Sequence, residues 1–169
     1  MPLSADVLFQ VSAYLSNTSS DLTVPSANLA FAQSIHLDNG TGANAADRLY
    51  MDSNTLAASA NVDVDLAGSL TDALGAALSF ARVKALFLRA ASGNTNNVVI
   101  GGAASNQFVG PFGAATHTFA VKPGGFMGWI APDATGWAVT AGTGDLLRIA
   151  NSGAGTSVTY DVVIIGASA

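Results

Sequence analysis

The sequence contains no cysteine and no glutamate, and both absences narrow the functions open to it. Without cysteine there is no disulfide, no thiolate zinc site and no cysteine nucleophile. All eleven acidic residues are aspartate, so the glutamate that many acid–base sites use is missing. Charge is scarce as well, because 10% of the residues are charged, against about 25% in a typical soluble domain.

The few charges present are mostly negative, with a formal net charge of −5. This balance opposes binding to nucleic acid, which depends on cationic contacts with phosphates, and opposes attraction to anionic membrane surfaces. The most apolar region, residues 66–91, is interrupted by charged side chains from Asp72 to Arg89, so it is no bilayer-spanning run. We therefore expect neither a nucleic acid nor a membrane as partner.

What the sequence does have is small and apolar: half of its residues are hydrophobic, and 18 are glycine. The polar surface must then consist mostly of Ser, Thr and Asn, whose short side chains lose little rotamer entropy on burial. Interface cores are likewise depleted in charge. This surface favours an obligate oligomer or an assembly component. The alternative is a general bias of the source genome towards small residues.

Strand-like runs recur about every 8–12 residues, separated by Gly, Pro and Asn. The clearest is NVDVDL, in which Val62 and Val64 alternate with Asp63 and Asp65, as in a half-buried strand. This spacing predicts an all-β fold, an antiparallel β-sandwich of jelly-roll-like character.

One departure from strand structure is expected, a short helix near residues 69–75, capped by Ser69 or Thr71 and ended by Gly75. No linker or charge block divides the chain. We expect a β-sandwich domain over residues 46–169, preceded by residues 1–45 as an N-terminal arm and first strands that are not an independent domain.

Candidate catalytic residues are few. The two histidines, His36 and His117, accompany neither a GxSxG motif nor an HExxH motif. Asp63 and Asp65 share one strand face and could hold an ion, but solvated carboxylates are the simpler interpretation, and no EF-hand spacing is present. We expect no enzyme, no cofactor and no metal-binding residue, and leave open whether the aspartates bind an ion.

Both tryptophans lie in residues 117–139: Trp129 lies between the turn signals VKPGG and PDATG, and Trp137 directly follows PDATG. The pattern predicts that Trp129 and Trp137 occupy adjacent antiparallel strands of one hairpin. Two uses are open. The rings can pack in a core or subunit interface, or they can form an exposed platform for a ligand such as a sugar.

Residues 46–169 carry a set of segments that resembles the small structural proteins of tailed-bacteriophage virions, in particular the capsid decoration, or cement, proteins: DLAGSLTDALG, VKAL, PGG…P…GW, DLLRI.N and YDVVIIG. The resemblance implies a homotrimeric β-sandwich or jelly roll seated on the surface of the head. Its partners are then the major capsid protein and other copies of itself, its location is the virion, and it needs no cofactor.

By analogy with such proteins, the N-terminal arm and the tryptophan segment are the expected contact regions. The corresponding contact residues are Asn17, Thr18, Ser19, Pro25, Trp129 and Trp137. The alternative function is a phage tail or receptor-binding module that recognises a cell-surface glycan through the tryptophans. The third hypothesis is a hydrolase that uses His36 or His117.

Overall fold

The structure is a computed structural model, and it describes residues 2–16, 26–68 and 70–169. In these ranges no helix is long and apolar enough to cross a bilayer. The elements are β1 (Ala5–Ser16), β2 (Ser26–Asn39), β3 (Ala45–Ala46), β4 (Arg48–Leu56), β5 (Asn61–Asp65), β6 (Leu70–Thr71), β7 (Ala77–Leu78), β8 (Arg82–Ala90), β9 (Val98–Gly101), a 3₁₀ turn (Gly110–Phe112), β10 (Thr118–Val121), β11 (Phe126–Ile130), β12 (Trp137–Ala138), β13 (Leu146–Asn151) and β14 (Val158–Ala167).

Two antiparallel sheets form the body of the protein. One has the strand order β10-β9-β13-β5, and the other has the order β11-β8-β14-β4, with β12 pairing further along β8. Their inner faces share one hydrophobic core. The prediction of an all-β antiparallel sandwich is therefore confirmed.

Period-two alternation explains why these segments become strands. In β14, Val158, Tyr160, Val162 and Ile164 point into the core, and the residues between them point outward. Each fully buried aliphatic side chain of this kind contributes roughly 1.5–3 kcal/mol relative to exposure. The buried face of each such strand therefore points towards the opposite sheet.

The predicted strand NVDVDL is confirmed as β5, whose partner is β13. Val62 and Val64 lie on the core side. On the outer side Arg148 donates from Nε and Nη2 to the two carboxylate oxygens of Asp63, each at 2.8 Å. This aspartate therefore has an ion-pair partner in its own sheet.

The expectation of a short helix near residues 69–75 is wrong, because β6 and β7 form a small antiparallel pair there. The Asp72 carboxylate accepts hydrogen bonds from the backbone N–H groups of Leu74 and Ala76, both at 2.9 Å. Such local bonds compete with helical ones. Gly75 has φ +84°, a left-handed conformation that reverses the chain.

The predicted tryptophan hairpin is also wrong. Both β11, which carries Trp129, and β12, which carries Trp137, pair with β8, so they follow one another along the same edge. The loop between them is held by the Asp133 carboxylate, which accepts the N–H groups of Thr135 and Gly136 at 2.8 and 3.1 Å. This turn returns the chain to β8 instead of folding it back on β11.

The long strands β1 and β2 form a two-stranded antiparallel ladder, from the pair Ala5↔Leu37 to the pair Ser16↔Ser26. We call this element the ribbon. Neither strand pairs with the two sandwich sheets, and β2 continues into a short parallel pairing with β3. The buried Leu37 anchors the base of the ribbon. The whole ladder has 12 residue pairs, and beyond this base it extends from the domain.

Candidate interaction surface

The ribbon has one apolar face. Side chains alternate along a strand, and directly paired residues share a face. The register of β1 on β2 therefore gathers the odd-numbered residues of both strands on one side. From the base towards the far end these are Val7, Phe9, Val11, Ala13 and Leu15 of β1, and Ile35, Gln33, Phe31, Leu29 and Ala27 of β2.

The opposite face of the ribbon is mainly polar or small. Its residues are Asp6, Leu8, Gln10, Ser12, Tyr14 and Ser16 of β1, and Ser26, Asn28, Ala30, Ala32, Ser34 and His36 of β2. Leu8 and Tyr14 are its large exceptions. The ribbon is thus amphipathic, which is typical of a strand pair with one face towards water and the other against protein.

In this chain alone the ribbon's apolar face is open to solvent. Phe9 and Phe31 are 50% and 52% exposed, and Leu15 is 73% exposed. The two phenylalanine rings meet edge to face, with centroids 6.1 Å apart. Soluble monomers rarely expose a contiguous apolar surface of this kind unless it contacts a partner. The ribbon's apolar face is therefore the strongest candidate for an interaction surface in the described residues.

A second apolar surface lies on the outer face of the β11-β8-β14-β4 sheet. It is an open groove of about 510 Å³. Met51, Phe87, Phe126 and Val163 supply its apolar lining. Met51 and Phe126 are 56% and 71% exposed. We call this surface the sheet groove.

Two of the three charged side chains that line the sheet groove form an ion pair, and the third is Asp52. Arg89 Nε donates to the Asp161 carboxylate at 2.8 Å. Hydrogen bonds from Ser53, and then from Arg89, hold the pKa of Asp161 below its usual range. Covering the groove over Arg89 and Asp161 therefore leaves neither of these two charges without a partner.

A histidine between two aspartates marks the base of the ribbon. His36 Nδ1 lies 2.7 Å from Asp6 Oδ1, and its Nε2 lies 3.2 Å from Asp38 Oδ1. The hydrogen bond and charge of Asp6, with a smaller effect of Asp38, raise the pKa of His36. The group joins β1 to β2 at the point where the ribbon leaves the domain.

Both tryptophans pack against the main core. Trp129 is half-buried, edge-on to Phe112 and Phe119, with ring centroids 5.3 and 5.7 Å apart. Trp137 lies so close to Gly110 that a Cβ at that glycine would come within 2.7 Å of the Trp137 Cβ. The rings contribute to packing, which is the first of the two uses that the sequence left open.

Neither histidine is hydrogen-bonded to a serine or threonine hydroxyl in the described part of the chain. His117 Nδ1 donates to the carbonyl oxygen of Phe112 at 2.8 Å, and the ring of His36 contacts carboxylates. Within the same residues, no three His, Asp or Glu side chains group as metal ligands.

Lys84 is a buried charge that the sequence analysis did not single out. It lies in β8 at a bulge opposite Ile165 and Gly166, and it is fully buried. Its ammonium donates to the carbonyl oxygens of Gly42, at 3.2 Å, and Asp133. Burial lowers the pKa of Lys84. The side chain ties two loops to the sheet, which is a structural role.

Of the six expected contact residues, Asn17, Thr18, Ser19 and Pro25 lie outside the described residues, in the segment that joins β1 to β2. Trp129 and Trp137 pack as described above. The sequence analysis missed the apolar face of the ribbon, since residues 6–15 show no clear period alone. The register of β1 on β2 reveals this face, because it brings the mostly apolar odd-numbered residues of both strands to one side.

Comparisons with known proteins assign no family. No protein-family model matches the chain, and no curated protein and no solved structure matches it significantly.

The pKa of His36 tests the base of the ribbon. Because its folded-state pKa is raised, protonation of His36 stabilises the fold fully below the ordinary histidine pKa of 6.5, and this stabilisation is lost as pH rises through the folded pKa. We expect an NMR titration midpoint above 6.5, lowered by Asp6→Asn and lowered less by Asp38→Asn. Equal midpoints in all three proteins would show that the two contacts do not form.

The packing of Trp129 gives a stability prediction. Since the ring is half-buried, Trp129→Ala is expected to lower the free energy of unfolding by about 3 kcal/mol, the low end for removal of a large aromatic side chain. Tyr14→Ala, at a residue 67% exposed, serves as the control and should change it by less than about 0.5 kcal/mol. Urea denaturation measures both. An unchanged midpoint for Trp129→Ala contradicts the packing role.

Proposed function

We propose that the protein is a non-enzymatic structural subunit that functions when assembled with neighbouring subunits. The observation that carries this proposal is the ribbon's apolar face, which is open to water in the single chain. Apolar side chains that are exposed to solvent have an unfavourable hydration free energy. Contact with another protein removes them from water. An assembled state provides that contact.

The resemblance to capsid decoration proteins gives the assembly a concrete form. On this proposal the protein binds the head shell of a tailed phage and stabilises the shell by adding contact area between its subunits. The charge-poor surface supports the proposal because burying it leaves few charges without partners. Binding to the assembled shell but not to its unfolded subunits favours the assembled state by mass action.

The alternative, a tail or receptor-binding module that grips a glycan, has less support. It requires open aromatic faces, whereas Trp129 and Trp137 are half-buried and pack against the core. The interaction surface that is open in the structure is apolar and uncharged. Sugar platforms combine an aromatic face with polar groups, and the ribbon's apolar face carries the single amide Gln33.

The proposed function is tested by the copy number of this chain in purified virions, measured by quantitative mass spectrometry against the major capsid protein. Hundreds of copies per particle, in a fixed ratio to the capsid protein, are expected. A handful of copies would place the chain at the tail or a single vertex and favour the receptor-binding alternative. Absence from the particles overturns the virion proposal.

A further inference from the structure

We propose that the ribbon of one copy lies with its apolar face in the sheet groove of a second copy. The partner of both open surfaces is then another copy of this chain. The inference deepens the proposed function, on which it rests only in that the protein acts as an assembled subunit. It specifies which surfaces meet and does not depend on the identity of the shell.

The sheet groove is continuous with a surface that the ribbon already contacts within the chain. At its base, the ribbon's apolar face packs on the outer face of the β8–β14 sheet, where Leu37 and Ile35 belong to a cluster with Phe87 and Val163. Phe87 and Val163 also line the sheet groove. The groove therefore continues the surface on which this ribbon face already sits.

The ribbon's apolar face and the sheet groove carry few ionisable side chains. From the pair Val7↔Ile35 to the far end of the ladder, the ribbon's apolar face contains no ionisable side chain. The groove has the ion pair of Arg89 and Asp161, whose charges neutralise each other. Asp52 also lines the groove; it is exposed and accepts a hydrogen bond from the Tyr50 hydroxyl at 3.3 Å. Covering one surface with the other therefore buries mainly apolar area, and the contact is favourable when Asp52 stays at the solvated rim.

The dimensions of the open ribbon face limit the area that one contact can bury. The open part of the ribbon is about 30 Å long and about 10 Å wide, from the rise per residue and the spacing of strands. One such contact covers on the order of 300 Å² per partner, less than the roughly 800 Å² of a typical stable interface. Each copy must therefore engage more than one surface. It does so when it gives its ribbon to one neighbour and receives the ribbon of another.

The smallest closed form is a two-fold symmetric dimer in which the two chains exchange ribbons, and its interface is isologous. In larger assemblies the contact between ribbon and groove is heterologous, and it closes into a ring when the rotation between neighbours completes a circle. The trimer that the resemblance implies is the smallest such ring. Either form covers every ribbon and every groove. An open chain of copies would leave one of each exposed at its ends.

The absence of cysteine from the sequence makes a direct test possible. Two variants are prepared separately, Leu29→Cys on the ribbon's apolar face and Met51→Cys in the sheet groove; both residues are 56% exposed. After mixing, exchange and mild oxidation, we expect a disulfide between the two different chains, identified by mass spectrometry of the linked peptides. A second pair, Val11→Cys with Met51→Cys, tests for a different position of the ribbon along the groove.

The matched control is Ser12→Cys mixed with Met51→Cys. Ser12 neighbours Val11 but lies on the opposite face of the ribbon. We expect at least a tenfold lower yield of the mixed disulfide than with the better of the two apolar-face variants. Equal yields from both faces would mean random collision and would overturn the proposal.

The oligomeric state, measured by light scattering at micromolar concentration, is the second readout. We expect the wild-type protein to be an oligomer and the double variant Leu29→Asn, Phe31→Asn to be a folded monomer with the wild-type circular dichroism spectrum. The polar-face variant Ser12→Asn should remain an oligomer. A monomeric wild-type protein, or an oligomer that survives the double substitution, overturns the proposal.

These results separate this inference from the proposed function. A mixed disulfide from a chain that is absent from virions supports the ribbon contact and refutes the virion role. An abundant virion protein that gives no apolar-face disulfide, and whose ribbon instead cross-links to the capsid protein, supports the virion role and refutes contact between copies. Binding of the ribbon to lipid vesicles by a monomeric chain also refutes it.

Discussion

The exposed apolar face of an amphipathic ribbon is the constraint on which the account of this protein depends. A two-stranded ribbon is marginal by itself in water and gains stability when one face packs on protein. Here that packing is present at the base, around Leu37, and ends where Phe9 and Phe31 become half-exposed. Beyond that point the ribbon carries large apolar side chains that do not belong to either hydrophobic cluster of the single chain.

The sandwich supplies the rigid platform that such a contact requires. Its inner faces are closed by a core that spans both sheets, and its outer β8–β14 face offers apolar side chains as a binding surface. Gly128 contributes to this surface, because a Cβ there would come within 2.7 Å of the Phe87 ring. With glycine on the neighbouring strand, Phe87 can lie across the sheet and form the floor of the groove.

The sequence predicted a strand whose alternation is visible within the strand itself, and it missed features set by distant pairing or by a side-chain bond within a turn. The strict alternation of Val62 and Val64 with Asp63 identified β5 because the signal lies within one strand. The helix near residues 69–75 was wrong because the Asp72 side chain bonds the backbone of its own turn. The position of Trp137 depended on its pairing with β8, more than 50 residues away in the chain. The face of the ribbon depended on the register of β1 on β2, which periodicity alone does not reveal.

The central claim, that assembly covers the ribbon's apolar face, is tested most directly by hydroxyl-radical footprinting of the native protein at its working concentration. The account predicts that Phe9 and Phe31 are protected relative to the same residues in diluted, dissociated protein. Tyr14, which lies on the opposite face of the same ribbon, is predicted to be labelled equally in both. Equal labelling of the two phenylalanines before and after dilution would show that the face stays in water and would contradict the account.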